Sequence, residues 1–318
     1  MPYKLWLTAI SLLFAVLSLP LHAGSFPSQP LTIIVPNAPG GGTDITTRGL
    51  ARIAEKYLPV PIRVVNRSGA SGIIGTLTAS RAKPDGYTLV MATVELAILP
   101  HLRRSPMSYK NFDFLVAPIA EPGALIVNSK SPFNSVADFM AYARQHPGRL
   151  RVGNSGIGSI WHLSAMSLKE HYGVEFVDVP YSGGSAEAIV ALVGGHIDAV
   201  TVGPANATAQ IAAGQLKLLG VMNNSRMPLY PDVPTFQELG ADLVIRAWAA
   251  LGLPKGVPEA DRQRLQEAFS KALQDPDYQH YMARQGIVVN TADTAAVNAM
   301  IQADDAFYKT LVEGLGVE

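Results

Sequence analysis

The sequence predicts an α/β fold in which strands alternate with helices around largely parallel sheets. Three observations predict it. Short apolar, β-branched runs alternate with amphipathic helical segments from residue 31 onward. Glycine-rich loops mark three strand-to-helix junctions, at residues 40–42, 153–158 and 183–184. The length of 318 residues exceeds what one core usually serves, so two domains or one large α/β unit is expected. In such folds the binding loops lie at the carboxyl ends of the strands, which directs attention to each junction.

The elements follow in order. Residues 1–4 carry one positive charge, residues 5–21 are nearly all apolar, and Ala23 precedes Gly24, the pattern of a cleaved secretory signal peptide. The run is short for a membrane span, contains Pro20 and precedes no basic cluster, so residues 1–23 are expected to be removed. Residues 31–35 (LTIIV) form a buried strand, and Pro36 and Pro39 forbid direct continuation into a helix. After Gly40, Gly41 and Gly42, apolar residues at Leu50, Ile53, Ala54, Tyr57 and Leu58 mark an amphipathic helix with Thr43 or Asp44 as N-cap. A strand at 60–65 leads through NRSGASGIIG to a helix at 73–81, and Pro84-Asp85-Gly86 turns into a strand at 87–91.

Residues 125–127 begin a new strand, 128–132 are polar and hinge-like, and 136–145 are helical. A strand at 150–152, the loop Gly153-Asn154-Ser155-Gly156-Ile157-Gly158-Ser159 and a helix from about Ile160 repeat the arrangement of the first junction. A third version joins a strand at 176–179 to a helix at 185–193 through Pro180-Tyr181-Ser182-Gly183-Gly184. Strands at 196–202 and 216–221 flank a short helix at 210–213, and 223–234 are non-regular. Residues 243–253 are an apolar, strand-like run containing Trp248. Pro258 then opens the first of three closing helices, the second lying around Tyr281 and the last spanning 295–311.

Composition narrows the function. The chain has 25 Lys+Arg against 25 Asp+Glu, which gives no reason to expect nucleic acid or an anionic membrane surface as partner. It has no cysteine, which excludes disulfides, a thiol nucleophile and thiolate metal sites. The seven histidines are scattered and no H-E-x-x-H occurs, so neither a metal nor a cofactor is expected. A hydrolase elbow needs G-x-S-x-G, and Gly153-Asn154-Ser155-Gly156 places its second glycine one residue early. A monomeric, soluble periplasmic protein that is not an enzyme is the expectation.

The candidate site follows from the junctions. A glycine loop ending on a helix N-terminus presents unpaired N–H groups and the positive end of the helix dipole to an anion. The first loop lacks the lysine of a P-loop, and its contiguous glycines do not fit G-x-G-x-x-G. A tight turn is the alternative at any one junction; recurrence at three argues for a site. Asp44 is expected to cap its own helix. His162, in the first turn after the second loop, either donates to a bound carboxylate or bonds to the neighbouring backbone.

Six separated motifs carry a resemblance: Val35-Pro36-Asn37-Ala38-Pro39-Gly40-Gly41-Gly42-Thr43-Asp44, Val65-Asn66-Arg67-Ser68-Gly69-Ala70, Pro84-Asp85-Gly86-Tyr87-Thr88-Leu89, residues 153–163, Val179-Pro180-Tyr181-Ser182-Gly183 and Pro231-Asp232-Val233-Pro234-Thr235. In order and over nearly the whole mature chain, they resemble the substrate-binding proteins of tripartite tricarboxylate transporters, the Bug or TctC-like family. The resemblance implies a two-domain periplasmic binding protein of type II fold, with each sheet mainly parallel and flanked by helices. Domain 1 would be residues 24–123 plus 246–318 and domain 2 residues 124–245. It implies a small carboxylate held in the interdomain cleft and passed to membrane transporter subunits. The ligand-binding set so implied is Ala38, Pro39, Gly42, Thr43 and Asp44 of one domain facing Ser155, Gly156, Ser159 and His162 of the other. Tyr181 and Gly183 would form the wall and Thr93 would stand near it.

Two positions depart from the family pattern. Asn37 stands where an aromatic residue is frequent, and Glu95 where a small or polar residue is frequent. A cleft-facing Glu95 would repel a second carboxylate and favour a monocarboxylate or a zwitterion; a solvent-facing one would not. A periplasmic sensor input and a hydrolase are the alternative functions.

Overall fold

The computed structural model describes residues 26–102 and 105–315. The expected signal peptide lies outside the described residues. Among those described, no helix is long and apolar enough to cross a membrane.

The chain runs β1 (Leu31–Val35), α1 (Gly42–Ala54), β2 (Ile62–Asn66), α2 (Ile73–Ser80), β3 (Thr88–Thr93), α3 (Glu95–Ile98) and the long β4 (Phe112–Asn128). It continues α4 (Val136–Gln145), β5 (Arg151–Asn154), α5 (Ile160–Tyr172), β6 (Val177–Pro180), α6 (Ser185–Val193), β7 (Ala199–Val202), α7 (Thr208–Ala212) and β8 (Leu216–Met222). It closes with β9 (Arg246–Pro254), α8 (Glu259–Gln274), α9 (Pro276–Arg284) and α10 (Thr294–Leu315). The sheet order is β2-β1-β3-β9-β4-β7-β5-β6, with β8 also on β4. Helices flank this mixed sheet in two lobes, as the sequence predicts.

The sheets are less uniformly parallel than expected. β1 pairs parallel with β2 and β3, and β5 with β6 and β7, whereas every ladder made by β4 or β9 is antiparallel. The reason is β4. Its first part pairs with β9 in one lobe, and residues 123–128 pair with β7 and β8 in the other. One strand therefore belongs to both sheets. Sequence reading placed a strand only at 125–127 because Pro118 and Glu121-Pro122-Gly123 resemble turn chemistry and a doubly covered strand shows no alternation. The ladder absorbs Pro118 at a register shift between Val116 and Ile119, while Glu121 and Pro122 pair in register with Ala247 and Arg246 and Gly123 with Met222 of β8.

Period-2 alternation puts neighbouring residues of one strand into different cores. Leu31, Ile33 and Val35 with Leu89 and Met91 face α1, α8 and α9, where Leu50, Phe269 and Tyr278 are fully buried. Ile34, Val90 and Ala92 face the opposite way, into an apolar core that continues into the second lobe through Trp248, Tyr308, Trp161 and Phe139. α10 closes this second core. It is fixed to β9 by Arg246 Nη2 on Asp304 Oδ1 at 2.7 Å and by Tyr308 OH donating to the Arg246 carbonyl at 2.5 Å.

Candidate ligand-binding site

Between the lobes lies a cavity of about 400 Å³. Its first wall is the β1–α1 junction. α1 begins at Gly42, with Gly41 in extended conformation as N-cap, so neither Thr43 nor Asp44 caps it. Asp44 sits one residue too far in and is buried; its carboxylate reaches back to accept from the Gly40 N–H at 3.0 Å. It also accepts from Asn66 Nδ2 at 2.9 Å and Arg48 Nε at 3.0 Å. Burial pushes its pKa up, but these three donors outweigh burial and hold it below the usual carboxylate range. Asn66 Nδ2 also donates to the Asn37 carbonyl at 3.1 Å, so one carboxylate and one amide fix the loop's entry and exit. Gly40, at φ +82°, makes the turn between them.

The loop before α2 forms the next part of the wall. Ala70 (φ +48°) and Ser71 (φ +51°) both occupy the left-handed region, which costs side-chain-bearing residues free energy and is concentrated at functional sites. Ser71 Oγ reaches across the cavity to donate to the Ile157 carbonyl at 3.0 Å.

The facing wall is the β5–α5 junction. Ser159 is the N-cap of α5 and accepts from the His162 N–H at 3.2 Å. The His162 ring turns back on the loop, its Nδ1 accepting from the Gly158 N–H at 3.3 Å. Asn154, fully buried, accepts from the Gly156 N–H at 3.0 Å. At the third junction the Gly183 N–H donates to Glu187 Oε2 at 2.8 Å.

Two carboxyl groups line the cavity. Glu95 Oε1 accepts from the Ile160 N–H at 3.3 Å, and the Thr93 hydroxyl donates to the same carboxylate. An acidic side chain of one lobe thus sits on the helix N-terminus of the other. Burial pushes its pKa up against those hydrogen bonds. Glu121, on β4, accepts from Asn206 Nδ2 at 3.3 Å, and burial raises its pKa to about 7 against the donors Ala205 N–H and Asn206. Asn206 uses its other amide atom to accept from the Gly42 N–H, at 3.4 Å. Among the described residues lining the cavity there is no Lys, Arg or His.

Of the residues expected in the site, Asn37, Ala38, Gly42, Thr43, Thr93, Glu95, Ser155, Gly156, Ser159 and Gly183 line this cavity. Pro39, Asp44, His162 and Tyr181 do not. Pro39 is exposed, Asp44 and His162 bond to loop backbone, and Tyr181 packs on the core beside Gly153. Sequence reading passed over Glu121 and Asn206. Their signals are a lone glutamate in the run 114–127 and the strand-to-loop junction Gly203-Pro204-Ala205-Asn206.

The family model "Tripartite tricarboxylate transporter family receptor" matches residues 32–317. BugT of Bordetella pertussis is 32% identical over 287 residues, covering 88% of this chain and 87% of that protein. Among solved structures, MatC from Rhodopseudomonas palustris with bound malate has 28% identity and a TM-score of 0.83, covering 90% of this chain and 100% of its own. Rpa4515 of R. palustris with adipate has 27% identity and a TM-score of 0.86, covering 92% and 98%. The chain belongs to the tripartite tricarboxylate transporter receptor family.

Proposed function

We propose that this chain is a periplasmic solute receptor that closes on a small carboxylate and delivers it to a tripartite tricarboxylate-type membrane transporter. The observation that carries this reading is the interlobe cavity, whose wall includes Ala38 of the β1–α1 loop and Gly42 and Thr43 at the start of α1. First-turn amides have no partner four residues back, and the helix dipole selects an anion. The malate and adipate of the two relatives are small carboxylates, which supports the same ligand class here.

In this reading the moving bodies are residues 24–123 with 246–318 and residues 124–245. The carboxylate lies on the β1–α1 loop and is covered by Ser155, Gly156 and Ser159, while Asp44 and His162 position the two loops. Micromolar affinity corresponds to about 8 kcal/mol, and a helix terminus supplies about 0.3–1 kcal/mol when exposed. Direct hydrogen bonds and burial of the ligand's apolar part must therefore supply most of it.

Glu95 and Glu121, with no basic residue among the described lining, narrow the ligand to a monocarboxylate or a zwitterion. A second carboxylate would meet like charge in a poorly solvated site. Calorimetric titration of the purified mature chain with citrate, an amino acid and an aromatic monocarboxylate tests this. Binding of one of the last two, without citrate, is expected. Tight citrate binding would end the restriction on class, and binding of no carboxylate at all would end the receptor reading.

A further inference from the structure

Glu121 is more elaborately housed than a wall residue requires. A Cβ added to Gly203 would stand 2.3 Å from Glu121 Oε1 and 2.8 Å from Oε2, so the backbone there leaves room only because no side chain is present. A Cβ on Gly42 would lie 4.0 Å from the same Oε1. Asn206 bridges the two sides, donating to Glu121 and accepting from Gly42 N–H. The Ala205 N–H also stands beside this carboxylate, yet Glu121 Oε2 is buried without a well-formed hydrogen bond. A buried acceptor left without a donor is destabilising, and more so when it is ionised. The Asn37 side chain, lining the same cavity, likewise has a buried Oδ1 without a partner. Among the described lining residues no cationic side chain is available to either.

We propose that Glu121 is the specificity-determining residue of this site and takes the ammonium group of a ligand whose carboxylate lies on the β1–α1 loop. The inference rests on the carboxylate-receptor reading above and names its ligand class: an amino acid. An ammonium group brings three donors and the opposite charge, which the unpartnered oxygen lacks. Since Gly42 adjoins Glu121 and also opens the anion-attracting turn, the two poles are close. The amine and the acid then sit on the same or neighbouring carbons, and the remaining volume, walled by Trp161 and Trp248, takes the side chain.

A competing chemistry has the opposite pH dependence. A protonated Glu121 would donate to a second carboxylate, and affinity would fall as that proton is lost. An ammonium needs the ionised form, and affinity would rise. The carboxyl titrates at about 7, so its ionised fraction grows about tenfold between pH 6 and pH 8. The charged groups on neighbouring elements are Glu95 in the same cavity, Arg246 on β9, held by Asp304, and Asp44 in α1, held by Arg48.

The test is calorimetry on the purified mature chain with three matched pairs: L-alanine and propionate, L-leucine and 4-methylpentanoate, L-phenylalanine and 3-phenylpropionate. Citrate, malate and adipate complete the panel. In at least one pair the amino member is expected to bind at least tenfold tighter, with affinity rising several-fold to tenfold from pH 6 to pH 8. Glu121→Gln is expected to abolish both the preference and the pH dependence, while a thermal melt without ligand shows it folded. Equal or tighter binding of the deaminated members overturns the proposal, as does affinity falling with pH. Binding confined to di- and tricarboxylates overturns it while leaving the receptor reading intact; binding of nothing in the panel removes that reading as well. The wild-type pairs and pH profile decide the matter even if the variant does not fold.

Discussion

At the scale of single residues, the site depends on where carboxyl groups sit and on what the backbone leaves open for them. Glu121 makes a pH prediction without any ligand. Its folded-state pKa lies near 7, above its ordinary 4.5, so the folded protein holds a proton that the unfolded chain releases. The stability this brings is complete below pH 4.5 and is lost as pH rises through 7. Stability at pH 8 is therefore expected to be lower than at pH 5, with Glu121 contributing up to about 3 kcal/mol of the difference. Glu95 and Asp304 slope the same way because burial raises both. Urea unfolding at the two pH values measures the slope, and Glu121→Gln should flatten it in part; an unchanged slope would show that Glu121 is not buried as described. Gly203→Ala acts on the same carboxyl from the other side. Its methyl group would overlap Glu121 Oε1, so the side chain must move, at about 1–3 kcal/mol of stability. Ligand affinity is expected to fall at least tenfold, and calorimetry showing wild-type affinity would mean that the carboxyl position does not matter. None of this was legible in the sequence, where Glu121 reads as part of a Glu-Pro-Gly turn. Its role comes from Gly203 and Asn206, more than 80 residues later.

At the scale of elements, the junctions were legible and their internal wiring was not. Strand, glycine loop and helix were readable at β1–α1, β5–α5 and β6–α6 because apolar periodicity and glycine punctuation are local signals. Helices α4 and α6 start and end where expected, at Val136–Gln145 and Ser185–Val193. The N-cap of α1 was misplaced by two or three residues because a carboxylate in the first turn reads as a cap in sequence. In the structure it braces the preceding loop. Two acceptors on helix-start amides, Asn206 on Gly42 and Glu95 on Ile160, are also invisible to pattern, since both come from the opposite lobe. The Asp44 brace has a measurable consequence. Asp44→Ala leaves the Gly40 N–H without its acceptor and takes one acceptor each from Asn66, which keeps the Asn37 carbonyl, and from Arg48, which keeps Asn66 Oδ1. It is expected to destabilise the protein by about 2–4 kcal/mol. Affinity should also fall, since loop 37–42 loses its anchor, although Asp44 does not line the cavity. A variant with normal stability and affinity would show that Gly40 and Gly41 hold the turn unaided.

At the scale of the whole molecule, the question is what holds the lobes together around the cavity. The connection is covalent and continuous through β4, which belongs to both sheets, and β9 begins beside the crossing, with Gly123 N–H donating to the Ile245 carbonyl at 2.9 Å. α10 adds an apolar tie, since Tyr308 and Val312 share a core with Trp161 and Leu163 of α5. On the other side of the cavity three polar contacts join its walls, Gly42 N–H on Asn206, Ile160 N–H on Glu95 and Ser71 Oγ on the Ile157 carbonyl, and in the proposed closure these are the contacts that opening would break. Each is worth about 0.5–1.5 kcal/mol net, a modest bias that a ligand bridging the same walls can readily exceed. The Ser71 bond is the cleanest to remove, because it takes no part in the Glu121–Asn206 chain. Ser71→Ala is expected to shift the closed-to-open ratio about 2- to 13-fold toward the open form, the equivalent of that one bond. Small-angle scattering without ligand should show a larger radius of gyration, and saturating ligand should restore the compact form. Apparent affinity falls only by the loss in closed population, so a large affinity loss without a change in size would place Ser71 on the ligand itself. No change in either would mean that the hinge side, through α10 and the shared core, sets the closed geometry alone.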